Sequence, residues 1–267
     1  MIKADFHVHT EFSGDSFVEV KKQIERAIDI GLEYIAITDH CDLNLYSRKG
    51  WALDVASYVN EINNIKEKYK NKISVLLGIE MGLVSNLKEQ IDNIVNTYDF
   101  DFVIGSQHAV NGIDIGFEVD KYFKNRSVKQ AYRQYFEYIY ENVRNFTSYD
   151  VYGHLDYVIR YGPDKHFELD EYKDLIEEIL RVIIKNDKGI EINTAGMRKN
   201  LGYFHPHIEI LKMYKELGGE IITIGSDAHF SEHIGYKFQD VPDLLKSVGF
   251  NYYTVFEKRI PKFLSIS

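Results

Sequence analysis

Short apolar runs rich in β-branched residues alternate with segments of helical periodicity along almost the whole chain of 267 residues. The predicted strands are 2–6, 33–38, 72–79, 101–106, 150–154, 189–194 and 220–226, and residues 251–256 are a candidate for one more. The predicted helices are 17–31, 52–70, 85–98, 128–146, 169–186, 206–218 and 240–249. Near-continuous apolar runs are typical of parallel strands covered on both faces. The pattern therefore predicts an α/β protein, built either as an open doubly wound sheet or as a closed barrel.

Composition limits the functions open to such a chain. A formal net charge of −9 disfavours a general nucleic-acid binder, which needs basic surface. The single cysteine, Cys41, excludes an internal disulfide and a cysteine-based zinc site. No apolar run approaches the length of a membrane span, and the start has no signal-peptide core, so we expect no membrane association and a cytoplasmic location. Without a Gly/Ser linker or low-complexity tract, residues 1–267 are expected to form one domain.

Polar residues mark the ends of the predicted strands. Six of the ten histidines lie at or just after a strand end: His7, His9, His40, His108, His154 and His229. The acidic residues Asp39, Glu80 and Asp227 occupy the same kind of position. In a parallel barrel all strands end at one mouth, whereas an open sheet would spread these residues along a line and over two faces. The polar strand ends therefore favour the barrel.

The first strand shows what these residues can do. Asp5, His7 and His9 alternate and so share one face of the strand, where we expect the histidines to bind metal and Asp5 to orient them. Imidazole and carboxylate ligands without thiolate suit Zn²⁺, Mn²⁺ or Fe²⁺ rather than calcium. The ligands are too many for one tetrahedral site, so we expect two or three metals, with Glu80 bridging two of them. The other four histidines are expected to be structural: His166, His205, His207 and His233.

The motifs DFHVHT, ITDH, GIE, GSQH, GHLD and GSDAH follow one another between residues 5 and 229. This series resembles that of the PHP (polymerase and histidinol phosphatase) family of metal-dependent phosphoesterases. The resemblance implies a distorted (β/α)₇ barrel, similar to a TIM barrel, with a trinuclear metal centre.

The resemblance also implies ligands for three divalent metal ions. The first metal is expected to have four ligands: His7, His9, Glu80 and Asp227. Glu80 is expected to bridge to a second metal, whose other ligands are His108 and His154. The third metal is expected to have His40, His229 and Asp15. Many relatives have a histidine at the position of Asp15, where a carboxylate is also a competent ligand.

Two further stretches, LDYVIRYG (155–162) and EINTAGMRKN (191–200), resemble the histidinol-phosphatase branch of the family. Each has an arginine beyond a strand end, Arg160 or Arg198, and guanidinium donors match the oxygens of a phosphate monoester. The resemblance implies a small-molecule substrate, L-histidinol phosphate, hydrolysed in histidine biosynthesis. Asp227 is expected to orient the attacking hydroxide or to protonate the leaving alkoxide. Phe117 and Glu118 are expected to contact the imidazole and ammonium groups of the substrate.

Three alternatives differ in chemistry or class. A PHP phosphoesterase could act on phosphotyrosine or a nucleotide instead. An amidohydrolase-type enzyme is disfavoured, because its bridging lysine and its histidine after strand six are replaced here by Gln107-His108 and Asn193. A non-catalytic PHP module is disfavoured by the full set of ligands in a free-standing chain. No segment predicts a subunit interface.

Overall fold

A computed structural model gives the fold of residues 1–45, 48, 51–163 and 165–266. The strands in chain order are β1 (Ala4–Val8), β2 (Tyr34–Ile37), β3 (His40–Cys41), β4 (Ser74–Gly82), β5 (Phe102–Ser106), β6 (Ala109–Val110), β7 (Ile113–Asp114), β8 (Val151–Tyr152), β9 (Gly189–Asn193), β10 (Ile222–Gly225), β11 (Tyr252–Glu257) and β12 (Ile260–Ser265). The α-helices are α1 (Val20–Asp29), α2 (Val55–Tyr69), α3 (Lys88–Thr97), α4 (Val119–Phe123), α5 (Val128–Asn145), α6 (Lys173–Lys185), α7 (Ala195–Arg198), α8 (Ile208–Glu216) and α9 (Val241–Val248).

Seven parallel strands form a nearly closed barrel in the order β1–β2–β4–β5–β8–β9–β10. The ring closes through a parallel bridge between Val8 and Ala228, where the amide of His9 donates to the Ala228 carbonyl over 2.9 Å. Asp5 strengthens the same seam, because its Oδ1 accepts the backbone amide of Ser226 over 2.9 Å. The predicted α/β barrel is therefore confirmed over the open sheet.

The helices cover this barrel with one apolar face each. The buried residues of α1 recur at the three- and four-residue spacing of a single helix face: Val20, Gln23, Ile24 and Ala27. Helix α5 begins with a capping box, in which the side chains of Ser127 and Gln130 each bond to the other residue's backbone amide. In β4, every residue except Ser74 is buried, which explains why its sequence is an apolar run without alternation.

The candidate strand at residues 251–256 lies outside the barrel. It forms β11, which pairs antiparallel with β12 in a hairpin. The turn residues Lys258 and Arg259 both have positive φ, 52° and 64°, the backbone of a tight hairpin turn. Arg259 lies against the N-terminal end of β8, where its Nε is 2.5 Å from Asp150 Oδ2. The hairpin therefore packs on the end of the barrel opposite the strand C-termini.

Several short elements were not predicted from the sequence. The hairpin β6–β7 and the helices α4 and α7 have two to five residues per element, too few to produce a detectable period. All three follow a barrel strand and lie on the loops at its mouth. Among the helices of the described residues, none has the length and apolar character needed to span a bilayer.

Candidate metal centre

The nine predicted metal ligands meet at the mouth of the barrel, because each follows or ends a strand whose direction is the same. Each has a side-chain nitrogen or oxygen within 4.0 Å of another member of the group: His7, His9, Asp15, His40, Glu80, His108, His154, Asp227 and His229. Most of these side chains are buried, and only Asp15 and His229 are substantially open to solvent.

Glu80 lies at the centre of this group, and its two oxygens face different histidines. Oε2 is 2.8 Å from His40 Nδ1, 3.4 Å from His7 Nε2 and 3.6 Å from His9 Nε2. A carboxylate that faces separate ligand groups with separate oxygens is the arrangement that a bridge between two cations requires.

The other oxygen of Glu80 faces the strands on the far side of the mouth. Oε1 is 2.9 Å from His154 Nε2 and 3.2 Å from His108 Nε2, and it accepts the hydroxyl of Ser106 over 2.7 Å. Ser106 ends β5 and therefore fixes the orientation of the carboxylate from the barrel wall.

A third group lies closer to solvent. Asp15 Oδ2 is 3.2 Å from His229 Nε2 and 3.7 Å from His40 Nε2. The rings of His9 and His229 stack with centroids 4.1 Å apart, and Asp227 Oδ1 lies 3.4 Å from His9 Nε2. Asp15 thus reaches the two histidines expected to share its metal.

The unpaired atoms of this centre fit divalent metals. Within the described part of the chain, six buried side-chain atoms of the predicted ligands form no hydrogen bond: His7 Nε2, His9 Nε2, Asp15 Oδ1, His40 Nδ1, Glu80 Oε2 and His154 Nδ1. Burying such atoms unsatisfied is costly, so a common partner is expected. Three sets have ligand atoms within 4.8 Å of one another: His7/His9/Glu80, His40/Glu80/His108 and His9/His40/His229. Imidazole and carboxylate donors in these numbers suit zinc, manganese or iron.

The electrostatics favour the metal-binding form of two ligands, Glu80 and His9. Burial would raise the pKa of Glu80, but the imidazoles of His7, His108 and His40 hold that pKa well below its usual value. Burial, together with the neighbouring His229 and His40, lowers the pKa of His9 to about 3. An ionised carboxylate and a neutral imidazole can both coordinate a cation without first losing a proton. At His7, His40 and His108 burial would lower the pKa, but the neighbouring carboxylates raise it, so each of these rings must lose a proton before it binds a metal.

Two carboxylates that sequence reasoning missed orient the ligand rings. Glu191 Oε1 lies 2.6 Å from His7 Nδ1, and its Oε2 accepts the backbone amide of His154 over 2.9 Å. Asp42 Oδ1 lies 2.9 Å from His108 Nδ1. Each contact leaves the opposite ring nitrogen directed at Glu80, the usual carboxylate–histidine–metal arrangement. The one feature of the sequence that could have identified Glu191 is its position within a predicted buried strand, in the run GIEINT.

Asp5 does not orient a histidine ring, which was the role expected from the sequence. Its oxygens accept backbone amides, Ser226 N over 2.9 Å and Gly235 N over 3.0 Å, and neither oxygen contacts an imidazole ring. Burial raises the pKa of Asp5 to about 6 despite these hydrogen bonds. Asp5 therefore supports the backbone that precedes Asp227, and Glu191 orients His7 in its place.

A cavity of about 510 Å³ opens at the ligands and is also lined by two arginines and by aromatic rings. Arg160 lies over the ring of Tyr157, 4.4 Å from its centroid, and its Nη2 is 3.4 Å from Asp227 Oδ2. Arg198 donates to the carbonyls of Ser226 and Asp227 over 2.7 and 2.8 Å. Both predicted arginines therefore reach the cavity beside one aspartate.

The two predicted substrate contacts differ in position. Phe117 lines the cavity, is 57% exposed and lies beneath the Arg48 guanidinium, 4.4 Å from it. Glu118 is not among the described residues that line the cavity. Its carboxylate accepts the amide of Asp114 over 3.2 Å and the Lys121 ammonium over 2.8 Å.

Comparison with known proteins gives consistent matches along the chain. The profile of the PHP domain family matches residues 5–195. A histidinol-phosphatase of Lactococcus lactis is 33% identical over 260 residues, which cover 96% of this chain and 95% of its own. A probable histidinol-phosphatase of Clostridium acetobutylicum is 36% identical over 264 residues, 97% of this chain and 98% of its own. The crystal structure of histidinol phosphate phosphatase from Lactococcus lactis, complexed with zinc, L-histidinol and phosphate, superposes with a TM-score of 0.87 and covers 97% of this chain and 98% of its own.

Proposed function

Because this chain belongs to the PHP domain family, we propose that it is a histidinol-phosphatase, a metal-dependent enzyme that hydrolyses L-histidinol phosphate to L-histidinol and phosphate in histidine biosynthesis. The observation that carries the proposal is the convergence on Glu80 of buried, unpaired histidine nitrogens, beside a cavity that two arginines also line. The relatives that match nearly the full length support the same substrate.

Three divalent ions, Zn²⁺, Mn²⁺ or Fe²⁺, are proposed to bind as the resemblance to the PHP family implies. The first would have His7, His9, Glu80 and Asp227; the second Glu80, His108 and His154; the third His40, His229 and Asp15. When bound, the ions lower the pKa of a water molecule and offset the negative charge of the phosphoryl group.

The residues of the chain position the ester and move the protons. Arg160 and Arg198 bind the non-bridging phosphate oxygens, for which a planar guanidinium is the best match. Asp227 orients the attacking water, and the proton that this water loses passes to the alkoxide oxygen of the departing L-histidinol. Water thus adds to phosphorus as the P–O ester bond breaks, and most of the rate comes from positioning and charge.

The mouth suits a small substrate rather than a polymer. Its volume of about 510 Å³ is in the range of small-molecule pockets, and the net charge of −9 opposes long nucleic acid. Phe117 offers its ring to the imidazole of the substrate, while Glu118 meets the ammonium only if it turns away from Lys121. The cytoplasmic location expected from the sequence stays a prediction.

Phosphate release from L-histidinol phosphate, a phosphotyrosine peptide and a dinucleotide tests the substrate, using protein loaded with Mn²⁺ or Zn²⁺. We expect kcat/KM for L-histidinol phosphate to exceed the others by at least about a hundredfold, or about 2.8 kcal/mol. A comparable or higher value for either alternative ester would overturn the assignment.

Two histidine variants test the metal centre independently of the choice of substrate. His154→Ala should lose most of its bound metal and its turnover, whereas His166→Ala, at a histidine whose side chain is 65% exposed, should keep both. Wild-type protein that purifies without metal and cannot be reconstituted would instead identify a non-catalytic module.

A further inference from the structure

His205 is fully buried and bonded to the segment that carries one of the two arginines. Its ring Nδ1 lies 2.5 Å from Asp156 Oδ1, and the backbone amide of His207 donates to Asp156 Oδ2 over 2.9 Å. Asp156, itself fully buried, immediately precedes the 3₁₀ helix Tyr157–Tyr161, which contains Arg160. His205 and His207 therefore fix the position of Asp156, at the start of the helix that contains Arg160.

The backbone of His205 is bonded to the segment that carries the other arginine. The amide of Asn193, at the end of β9, donates to the His205 carbonyl over 2.8 Å, and the His205 amide donates back over 2.9 Å. The side-chain oxygen of Asn193 accepts the amide of Ala195, the first residue of α7, over 3.0 Å. Arg198 is the last residue of that helix, so His205 is joined to both arginine segments.

The two arginines converge on one residue of the site. Arg160 reaches the side chain of Asp227, and Arg198 donates to the Asp227 carbonyl. Asp227 has a φ of 54°, an uncommon conformation for a residue other than glycine, so its backbone needs support from its surroundings. A small rotation of either arginine segment would therefore change the distance between the guanidinium groups at the place where a phosphoryl group binds.

His205 does not line the mouth cavity, so it acts through other residues and not on the substrate. A buried histidine–carboxylate pair is also poor evidence of a purely stabilising role, because apolar residues of similar volume often stabilise a core equally well. What such a pair can supply is one defined orientation of the elements it joins.

We propose that His205 is a positioning residue whose side chain, through Asp156, holds the Arg160 segment to the Asn193 segment bonded by the His205 backbone, and so sets the separation of Arg160 and Arg198 for binding a phosphoryl group. This role rests on the proposed function only in requiring that the site bind phosphate. It does not depend on which alcohol is esterified.

The affinity of the metal-loaded full chain for inorganic phosphate, measured by calorimetry, tests the proposal. His205→Leu removes the donor to Asp156, and we expect phosphate to bind about tenfold more weakly, a loss of about 1.4 kcal/mol, with unchanged metal content. In His205→Asn the amide nitrogen occupies the place of Nδ1, so affinity should return to within about threefold of wild type. With L-histidinol phosphate, KM should rise more than kcat falls.

His207→Ala is the matched control, since it removes the neighbouring imidazole but keeps the backbone amide that binds Asp156; its phosphate affinity should equal that of wild type. If His205→Leu does not fold, Asp156→Asn interrupts the same contact and should weaken phosphate binding in the same direction. Unchanged affinity in the folded variants, equal losses in the Leu and Asn variants, or metal loss in parallel with phosphate loss would overturn the proposal. A wild-type chain that binds phosphate but does not hydrolyse L-histidinol phosphate would contradict the proposed function alone.

Discussion

Glu80 combines complete burial with an ionised side chain, which isolated carboxylates in a protein interior avoid. The imidazoles around it hold its pKa well below its usual value, against the effect of burial. The surrounding rings cannot rotate freely, because Glu191 and Asp42 hold the outward nitrogens of His7 and His108. At the scale of single residues, the centre thus depends as much on the carboxylates behind the histidines as on the histidines.

Glu191→Gln tests the orientation of His7. Glutamine keeps the size of the side chain but is a weaker acceptor for the His7 ring, so we expect metal affinity to fall about 10- to 100-fold while the fold persists. Metal retained after dialysis against a chelator, measured by mass spectrometry, gives the result. Glu168→Gln, on the exposed surface, is the control; equal retention in both variants would show that the contact with His7 has no role in binding metal.

Arg160→Lys tests the contact with phosphate. Lysine keeps the charge but lacks the planar pair of donors and the stacking on Tyr157, so we expect kcat/KM for the phosphate ester to fall about a hundredfold. The measurement is steady-state phosphate release at saturating metal. Arg181→Lys, in a surface pair on α6, should leave the rate unchanged, and a similar rate for Arg160→Lys would remove Arg160 from phosphate binding.

The elements at the two ends of the barrel have different roles. The short hairpin β6–β7 and helices α4 and α7 lie on the loops after β5 and β9, where the cavity opens. The longer hairpin β11–β12 lies at the opposite end, where Phe256 contacts Phe102 and Phe102 contacts Phe6, with ring centroids 5.2 and 5.0 Å apart. The first group shapes the site, and the second covers the core of the barrel.

Arg259→Ala is expected to reduce stability without affecting catalysis. The change leaves the buried Asp150 carboxylate without its arginine and removes the donor to the Ser148 carbonyl, which should cost about 2 kcal/mol of unfolding free energy. Urea unfolding followed by circular dichroism measures this loss. Lys262→Ala, on the exposed face of the same hairpin, should change stability by less than about 0.5 kcal/mol. If Arg259→Ala changed kcat but not the free energy of unfolding, the separation of catalysis and stability between the two ends of the barrel would be contradicted.

At the scale of the whole molecule, metal binding and the stability of the fold are coupled, because the predicted ligands come from strands distributed around the barrel. His7 precedes Val8, whose bridge to Ala228 closes the barrel, and Asp227 precedes Ala228 on the other side of this seam. A metal that holds both residues would therefore also hold the seam, and metal binding should stabilise the fold as well as the site.

Metal removal should lower the melting temperature. For a site with metal at a thousandfold over its dissociation constant, binding contributes about 4 kcal/mol, which corresponds to a shift of about 8 °C or more in a chain of this size. Calorimetry before and after chelation, and again after adding Zn²⁺ or Mn²⁺, measures this shift. In Glu80→Gln the shift should be much smaller, and a wild-type melting temperature insensitive to chelation would rule out the coupling.

The sequence by itself predicted the barrel and the histidines that meet at its mouth. Parallel strands buried on both faces leave near-continuous apolar runs, and parallel direction brings every strand end to one mouth, so a histidine at a strand end could be assigned to the centre before any distance was known. The alternation of His7 and His9 likewise follows from the two-residue period of a strand.

Only the tertiary structure decided how the remaining polar residues pair. Asp5 and Glu191 both lie in buried strands, and the period of a strand gives the face of a side chain but not its partner across the barrel. Distance across the interior assigned Asp5 to backbone amides and Glu191 to the His7 ring. For the same reason His205, which the sequence predicted only to be structural, was found bonded to the segments that carry both arginines.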